Sequence, residues 1–172
     1  TMFSKDPLLW KSVRVTFTYT MVAVPLQIAF ALLLAVLLNQ KVRMIPLFRT
    51  IFYLPSVVSG VAISVLWLWL YHPELGLINE LLRYVGIKGP AWLVSIRWAL
   101  AAIIAMGLWS VGGTMIIFLA GLQGIPQELY EATELDGAGE WAKFRHVTLP
   151  MLSPVIFFNL ILGMIAAFQT FT

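Results

Sequence analysis

The ionisable side chains of this 172-residue chain are concentrated in one segment, residues 128–150, which lies between two strongly apolar stretches. They are Glu128, Glu131, Glu134, Asp136, Glu140, Lys143, Arg145 and His146. Charged groups are costly in hydrocarbon, so this segment must lie outside the bilayer. Five carboxylates and three basic groups at a membrane surface can form ion pairs and hydrogen bonds with another protein.

The same segment has the pattern of two short helices separated by glycine. Pro126 suits the first position of a helix, where its missing N–H is not needed, and Glu128 suits the positive end of the helix dipole. Gly137 and Gly139 interrupt the pattern, and residues 140–147 can form a second short helix. The apolar residues at helical spacing are Leu129, Ala132 and Leu135 in the first half and Trp141, Phe144 and Val147 in the second. A helix–Gly–helix element with an apolar stripe beside a membrane predicts a docking surface.

Composition indicates that the rest of the chain is embedded in a membrane. Hydrophobic residues make up 60% of the chain and charged residues 11%, whereas soluble domains have about 25% charged residues. Four stretches approach the roughly 20 apolar residues needed to cross about 30 Å of hydrocarbon: they are about residues 16–38, 51–71, 98–120 and 152–171. Pro55 and Gly60 are expected to bend the second span. The sequence therefore predicts an all-α polytopic membrane protein, with a single transmembrane domain over residues 1–172 and a bundle of at least four helices.

Several classes of function are excluded or disfavoured. The chain has no cysteine, so it forms no disulfide and has no cysteine metal site. The net charge of +3 includes no basic run that would indicate nucleic-acid binding. No G-x-x-x-x-G-K-[ST] loop is present, so the chain does not bind ATP by that mechanism. We predict no cofactor, no metal and no enzymatic activity for this chain.

The four predicted spans contain no Asp, Glu, Lys, Arg or His. Proton-coupled carriers generally need titratable groups inside the membrane, so the energy source is better sought outside it. An uncharged pathway suits a neutral, hydroxyl-rich solute. The candidate contacts for such a solute are Gln27, Trp109, Asn159 and Gln169. The alternative is that the amides bond neighbouring helices and that Trp109 packs against lipid or the core.

Residues 124–150 also resemble a known family. Residues 131–133, Gly137 and residues 147–150 follow the E-A-A…G…I-x-L-P loop of bacterial ABC importer permeases. Thr133 replaces the usual second Ala and Val147 the usual Ile, which are small departures.

Other parts of the chain extend this resemblance. Residues 118–131 and the Asp-Gly-Ala sequence at 136–138 are similar to the carbohydrate-importer branch of these permeases. Residues 49–55 and 76–79 also match the family, so the resemblance runs from about residue 16 to the end of the chain.

The resemblance implies a role for the loop. Similar permeases insert the first short helix into a groove on a cytoplasmic ATPase. Glu131 would anchor the loop, Ala132 would allow close approach and Gly137 would supply the turn. Trp141 and Phe144 would pack the second helix under the membrane domain. The full set implied to couple to the ATPase is Glu131, Ala132, Thr133, Asp136, Gly137, Ala138, Trp141, Phe144, Leu149 and Pro150. The alternative is a surface hairpin that merely connects two spans.

The resemblance implies the translocation-pore subunit of an ATP-driven ABC importer for a sugar or oligosaccharide in a bacterial cell membrane. The implied partners are a cytoplasmic ABC ATPase dimer, a second permease subunit, an extracytoplasmic solute-binding protein and the lipid bilayer. Because such permeases commonly have about six spans, a further span is implied on each side. The alternatives are a permease for glycerol phosphate, polyamine or amino acid, or a membrane interaction protein without transport activity.

Overall fold

The computed structural model describes residues 7–40 and 44–170, and every regular element in these two ranges is helical. The elements are α1 (Pro7–Leu38), α2 (Ile45–Val57), α3 (Gly60–Leu70), α4 (Leu77–Tyr84), α5 (Ala99–Trp109), α6 (Gly112–Gln123), α7 (Gln127–Leu135), α8 (Glu140–Lys143), a π-helical turn (Phe144–Thr148) and α9 (Leu149–Gln169). The predicted all-α class is confirmed.

Helices α1, α6 and α9 pack together at the centre of the bundle. Ala31 and Ala35 of α1 are fully buried, and their small side chains let α6 approach closely. Met115 and Phe118 of α6 and Leu152 of α9 fill the remaining space with side chains that are almost completely buried. This core holds one end of α9 firmly against α1 and α6.

Among the described residues, two helices are long and apolar enough to cross a membrane: α1 and the continuous helix from Glu140 to Gln169. The predicted spans 16–38 and 152–171 fall on these helices, although residue 171 lies outside the described residues.

The other two predicted spans are broken helices. The pair α2–α3 is bent by 98° and the pair α5–α6 by 48°, so each is one span only if a bent pair is counted as one. The break between α2 and α3 lies between Pro55 and Gly60, the two residues predicted to bend this span.

Helix α2 fits into the bend between α5 and α6. Gly112 lies at this bend, and a Cβ atom there would collide with the backbone of Phe52 and Tyr53, so α2 makes direct backbone contact. Arg49 of α2 donates a hydrogen bond from Nη2 to the carbonyl of Leu38, 3.2 Å away. A cation at the carboxyl end of α1 also suits the helix dipole. These contacts fix α2 between α1 and the bent span.

Candidate functional site: the coupling segment and a polar cavity

The coupling segment, residues 124–150, begins with α7 and a tight glycine turn. Gly137 has a φ of +78°, a conformation that favours glycine. Its N–H donates to the carbonyl of Glu134 (3.0 Å), and the N–H of Ala138 donates to the carbonyl of Thr133 (3.0 Å). This pair of bonds is a Schellman motif, which satisfies carbonyls at the end of α7. The turn predicted at Gly137 is therefore present.

The second half of the segment differs from the prediction. We expected residues 140–147 to form a second short helix; they are helical, but they do not form a short helix of their own. The α-helix α8 ends at Lys143, and the π-helical turn continues without a break into α9. Pro150 lacks the N–H that would bond the carbonyl of His146, and a widened turn just before it accommodates this interruption without ending the helix. The coupling segment is thus continuous with a helix that is long enough to cross the membrane.

Two side-chain contacts fasten α7 to this continuous helix. The hydroxyl oxygens of Tyr130 and Thr148 lie 2.9 Å apart in a hydrogen bond, and Thr148 is buried. Lys143 Nζ lies 3.0 Å from Glu134 Oε2 and 3.1 Å from Glu140 Oε1. The hydrogen bond to Glu134, followed by that to Glu140, raises the pKa of Lys143 above its ordinary value. We call the Tyr130–Thr148 bond the hydroxyl clamp.

Sequence reasoning missed Tyr130, Lys143 and Thr148 as members of this site. The partners of the hydroxyl clamp are 18 residues apart, and Lys143 and Glu134 are nine apart. The helical periodicity within each half of the coupling segment cannot predict a contact between its two halves. Only the angle set by the glycine turn brings these side chains together.

The predicted coupling residues divide into an exposed and a partly buried group. Glu131 and Ala132 are exposed on α7, and within the described residues the Glu131 carboxylate has no ion pair or hydrogen bond. The Thr133 hydroxyl donates to the carbonyls of Leu129 and Tyr130, so it is used inside the helix. The remaining ones are Asp136, Leu149 and Pro150, which are exposed, and Ala138, which is half-buried. The exposed side chains of Glu131 and Ala132 leave α7 open for a partner.

Trp141 and Phe144 stack on each other, with ring centroids 5.6 Å apart. Phe144 is half-buried, as expected for packing under the membrane domain. Trp141 is 72% exposed, so its predicted packing under the membrane domain is not seen. Trp141 lines a cavity of about 770 Å³, which is also lined by Asn39 and Gln40, the two residues that follow α1.

The hydroxyl clamp can be tested by a double-mutant cycle. Tyr130→Phe and Thr148→Val each remove one hydroxyl, and each is expected to lower the midpoint of thermal unfolding of the purified protein. The double variant should lose less than the sum of the two, with a coupling energy of about 0.5–1.5 kcal/mol, typical of one hydrogen bond. Strict additivity of the two effects would show that the clamp does not hold α7 to the helix.

A polar cavity of about 340 Å³ lies among α1, α5, α6 and α9, away from the coupling segment. Gln27 and Asn159, two of the four predicted solute contacts, both line it. Hydroxyl groups surround them: Tyr19, Ser110, Thr114 and Thr170. None of the described residues that line this cavity is Asp, Glu, Lys, Arg or His. Neutral hydrogen-bonding groups in an otherwise apolar cleft are typical of a site for a small polar ligand.

Local packing explains how the two amides are held. The Asn159 Nδ2 atom donates to the carbonyl of Val155, 2.8 Å away. The Gln27 side chain lies against Gly107, where a Cβ atom would collide with its Nε2 atom. Gly107 therefore provides the space that the Gln27 amide occupies.

The other two predicted contacts lie elsewhere. Trp109 packs edge-on against Trp67, with ring centroids 5.8 Å apart, and it does not line the cavity. This agrees with the alternative that Trp109 packs against neighbouring groups. Gln169 is exposed and is also outside the cavity lining.

Comparison with known proteins agrees with this geometry. Residues 13–172 match the family described as the binding-protein-dependent transport system inner membrane component. The chain belongs to this family. The predicted resemblance to ABC importer permeases is therefore confirmed.

Two named relatives are permeases of ABC transporters, and one of them is named for lactose. The chain is 44% identical to the probable ABC transporter permease protein YesP of Bacillus subtilis, over 99% of this chain and 56% of that protein. It is 40% identical to the lactose transport system permease protein LacF of Rhizobium radiobacter, over 96% of this chain and 57% of that protein. A crystal structure of a bacterial ABC transporter that imports the acidic polysaccharide alginate has the same fold, with a TM-score of 0.88 at 24% identity, covering 96% of this chain and 59% of that one. The chain thus spans somewhat more than half the length of these relatives.

Proposed function

We propose that this chain forms part of the translocation-pore subunit of an ATP-driven importer that takes up a neutral sugar or oligosaccharide across a bacterial inner membrane. One observation carries the proposal. The 30-residue helix Glu140–Gln169 is fastened to α7 at one end and contributes Asn159 to the uncharged polar cavity further along. A movement of α7 would therefore be transmitted to the wall of the cavity.

These contacts support a coupling mechanism. A cytoplasmic ATPase dimer binds ATP, closes and carries α7 with it, because α7 is seated in a groove on its surface. The glycine turn at Gly137, the ion pairs of Lys143 and the hydroxyl clamp make α7 and the continuous helix move together as a rigid body. ATP hydrolysis takes place in the separate ATPase subunit. A solute-binding protein delivers the sugar, and a second permease subunit completes the pore.

The choice of a neutral sugar is supported by the cavity lining. Amide and hydroxyl groups match the hydroxyls of a sugar, whereas glycerol phosphate, a polyamine or an amino acid would need charged partners. Among the described residues, no charged side chain lines this cavity. A membrane interaction protein without transport activity is disfavoured, since it gives no role to a helix that connects a docking surface to a polar cavity.

The cavity assignment predicts a specific effect of filling the space beside Gln27. Gly107→Ala should displace the Gln27 amide and raise the sugar concentration needed for half-maximal transport by roughly two- to tenfold, the cost of one hydrogen bond. Gly113→Ala is the matched control, because a Cβ atom there meets nothing within 4 Å. Equal transport kinetics in the two variants would show that Gln27 does not contact the solute.

The proposal as a whole is tested by reconstitution. The full-length protein is assembled in liposomes with its ATPase, its second permease subunit and its solute-binding protein, and ATP turnover is measured against a panel of sugars, glycerol phosphate, polyamines and amino acids. Turnover stimulated only by one or more neutral sugars is the expected result. Stimulation by a charged solute alone would contradict the solute class, and absence of stimulation by any solute would contradict transport.

A further inference from the structure

Helix α4 lies near the start of the bent span α5–α6, whereas the coupling segment follows the end of this span, so the two lie on opposite sides of the bundle. Asn79, which is buried, donates from Nδ2 to the carbonyls of Pro73 (2.9 Å) and Pro90 (3.2 Å). Its Oδ1 atom accepts a hydrogen bond from Trp92 Nε1, 2.7 Å away. Gly89 packs so closely on the Asn79 side chain that a Cβ atom would collide with it. The side chains on α4 therefore have defined positions.

Aromatic contacts fix the position of α4 along the axis of the helix bundle. The Trp92 ring is 5.7 Å from that of Tyr71, which follows the last residue of α3, and 5.5 Å from that of Trp98, which precedes α5. The Tyr71 hydroxyl donates to the carbonyl of Ala102 in α5. Because Asn79 bonds Trp92, α4 lies where α3 ends and α5 begins. Tyr and Trp are enriched at this level, where membrane helices meet water.

The surface of α4 is divided into three flanks, as expected when successive residues are about 100° apart. The first faces the protein and includes Ile78, Asn79 and Leu82, which are buried or half-buried. The second has an ion pair between Glu80 and Arg83, 2.7 Å apart.

The third flank is apolar, and no described part of the chain covers it. Leu77, Leu81 and Tyr84 are 46%, 57% and 82% exposed. The first flank contacts the protein, and the charged second flank suits contact with water. An apolar third flank suits neither of these environments. We call Leu77, Leu81 and Tyr84 the α4 outer flank.

We propose that α4 lies in the headgroup region of the membrane leaflet opposite the coupling segment, with the α4 outer flank inserted at the boundary with the acyl chains. The occupant of this surface is the lipid itself. The chain that leads from α3 to α4 also exposes apolar side chains, with Trp69 56% and Leu75 74% exposed. An interfacial helix of this kind carries charge on one flank and Leu and aromatic groups on another. Lys88, just beyond α4, is placed to meet anionic headgroups.

These 172 residues contain no cysteine, so single cysteines introduced here, in a full-length protein from which any other cysteine has been removed, allow site-specific labelling. Leu81→Cys and Glu80→Cys, at adjacent positions on different flanks, are each labelled with an environment-sensitive fluorophore in the full-length protein reconstituted in liposomes without any partner. Quenching is measured with a nitroxide attached to lipid near the headgroup and, separately, with aqueous iodide. The label at position 81 should be quenched at least about threefold more by the lipid nitroxide than the label at position 80, with the reverse order for iodide.

Three outcomes would overturn the proposal. Equal iodide quenching at both positions would show that the α4 outer flank faces water. Shielding of position 81 only after the solute-binding protein is added would make this flank a protein-docking surface. Shielding of position 81 from both quenchers would mean that another part of the protein covers it. All of these readings are independent of sugar transport, so they leave the proposed function untouched.

Discussion

Gly137→Val is expected to abolish sugar-stimulated ATP turnover in the assembled importer while the protein still inserts into the membrane. Gly137 has a φ of +78°, and a Cβ atom at this position would meet nothing within 4 Å. The effect is therefore purely one of backbone conformation. An L-residue at positive φ costs about 1–2 kcal/mol, and a β-branched residue costs more, so the population of the turn should fall about tenfold or further. Without the turn, the angle between α7 and the continuous helix is no longer fixed.

The matched control for this variant is Gly139→Val. It introduces the same side chain in the same loop at a residue whose φ is −74° and whose Cβ position is also open. Turnover in this control should stay within about twofold of the unmodified protein, because extended backbone accepts any residue. Comparable loss in both variants would mean that the loop is sensitive to bulk and not to the left-handed turn.

Glu131→Lys is expected to have a comparably large effect for a different reason. The Glu131 carboxylate is exposed and has no ion pair among the described residues, so it is available to a basic or N–H donor on the ATPase. Reversing its charge at a desolvated interface should cost roughly 2–5 kcal/mol, which weakens ATPase binding by about thirtyfold to a few thousandfold. The measurement is co-purification of the ATPase with the permease, together with sugar-stimulated turnover.

A graded series separates docking from misfolding. Glu131→Gln keeps the hydrogen-bonding oxygen and removes the charge, so its ATPase affinity should fall between that of the unmodified protein and that of Glu131→Lys. The thermal unfolding midpoint should be unchanged in both, since the carboxylate makes no contact within the described chain. Retention of full ATPase binding by Glu131→Lys would show that Glu131 does not anchor the loop.

Local signals in the sequence were sufficient for several elements of the site. Glycine at position 137 after an amphipathic stretch predicts the turn, and the structure has it at a positive φ. The amides Gln27 and Asn159 stand out because they are polar residues within apolar runs, and they line the same cavity. In each case the deciding property is the residue type itself.

Properties that depend on the arrangement of helices could not be predicted in this way. The continuity of α8 with α9 depends on a π-helical turn, and periodicity alone does not distinguish this turn from the end of a helix. The hydroxyl clamp needs the angle between α7 and the continuous helix. Trp109 has suitable chemistry for binding sugar, but its ring packs against Trp67, a neighbour that only the fold brings close.

The central claim, that α7 is the docking element for the ATPase, is tested most directly by crosslinking. In a full-length protein from which any cysteine outside these 172 residues has been removed, a single Ala132→Cys substitution is made on the exposed side of α7, with Tyr84→Cys on the opposite side of the bundle as the control. In membranes that contain the assembled complex, a short bifunctional reagent should join position 132 to the ATPase, with a yield that changes on ATP binding, and should leave position 84 unlinked to it. Failure to capture the ATPase from position 132, or its capture from position 84 instead, would contradict the account.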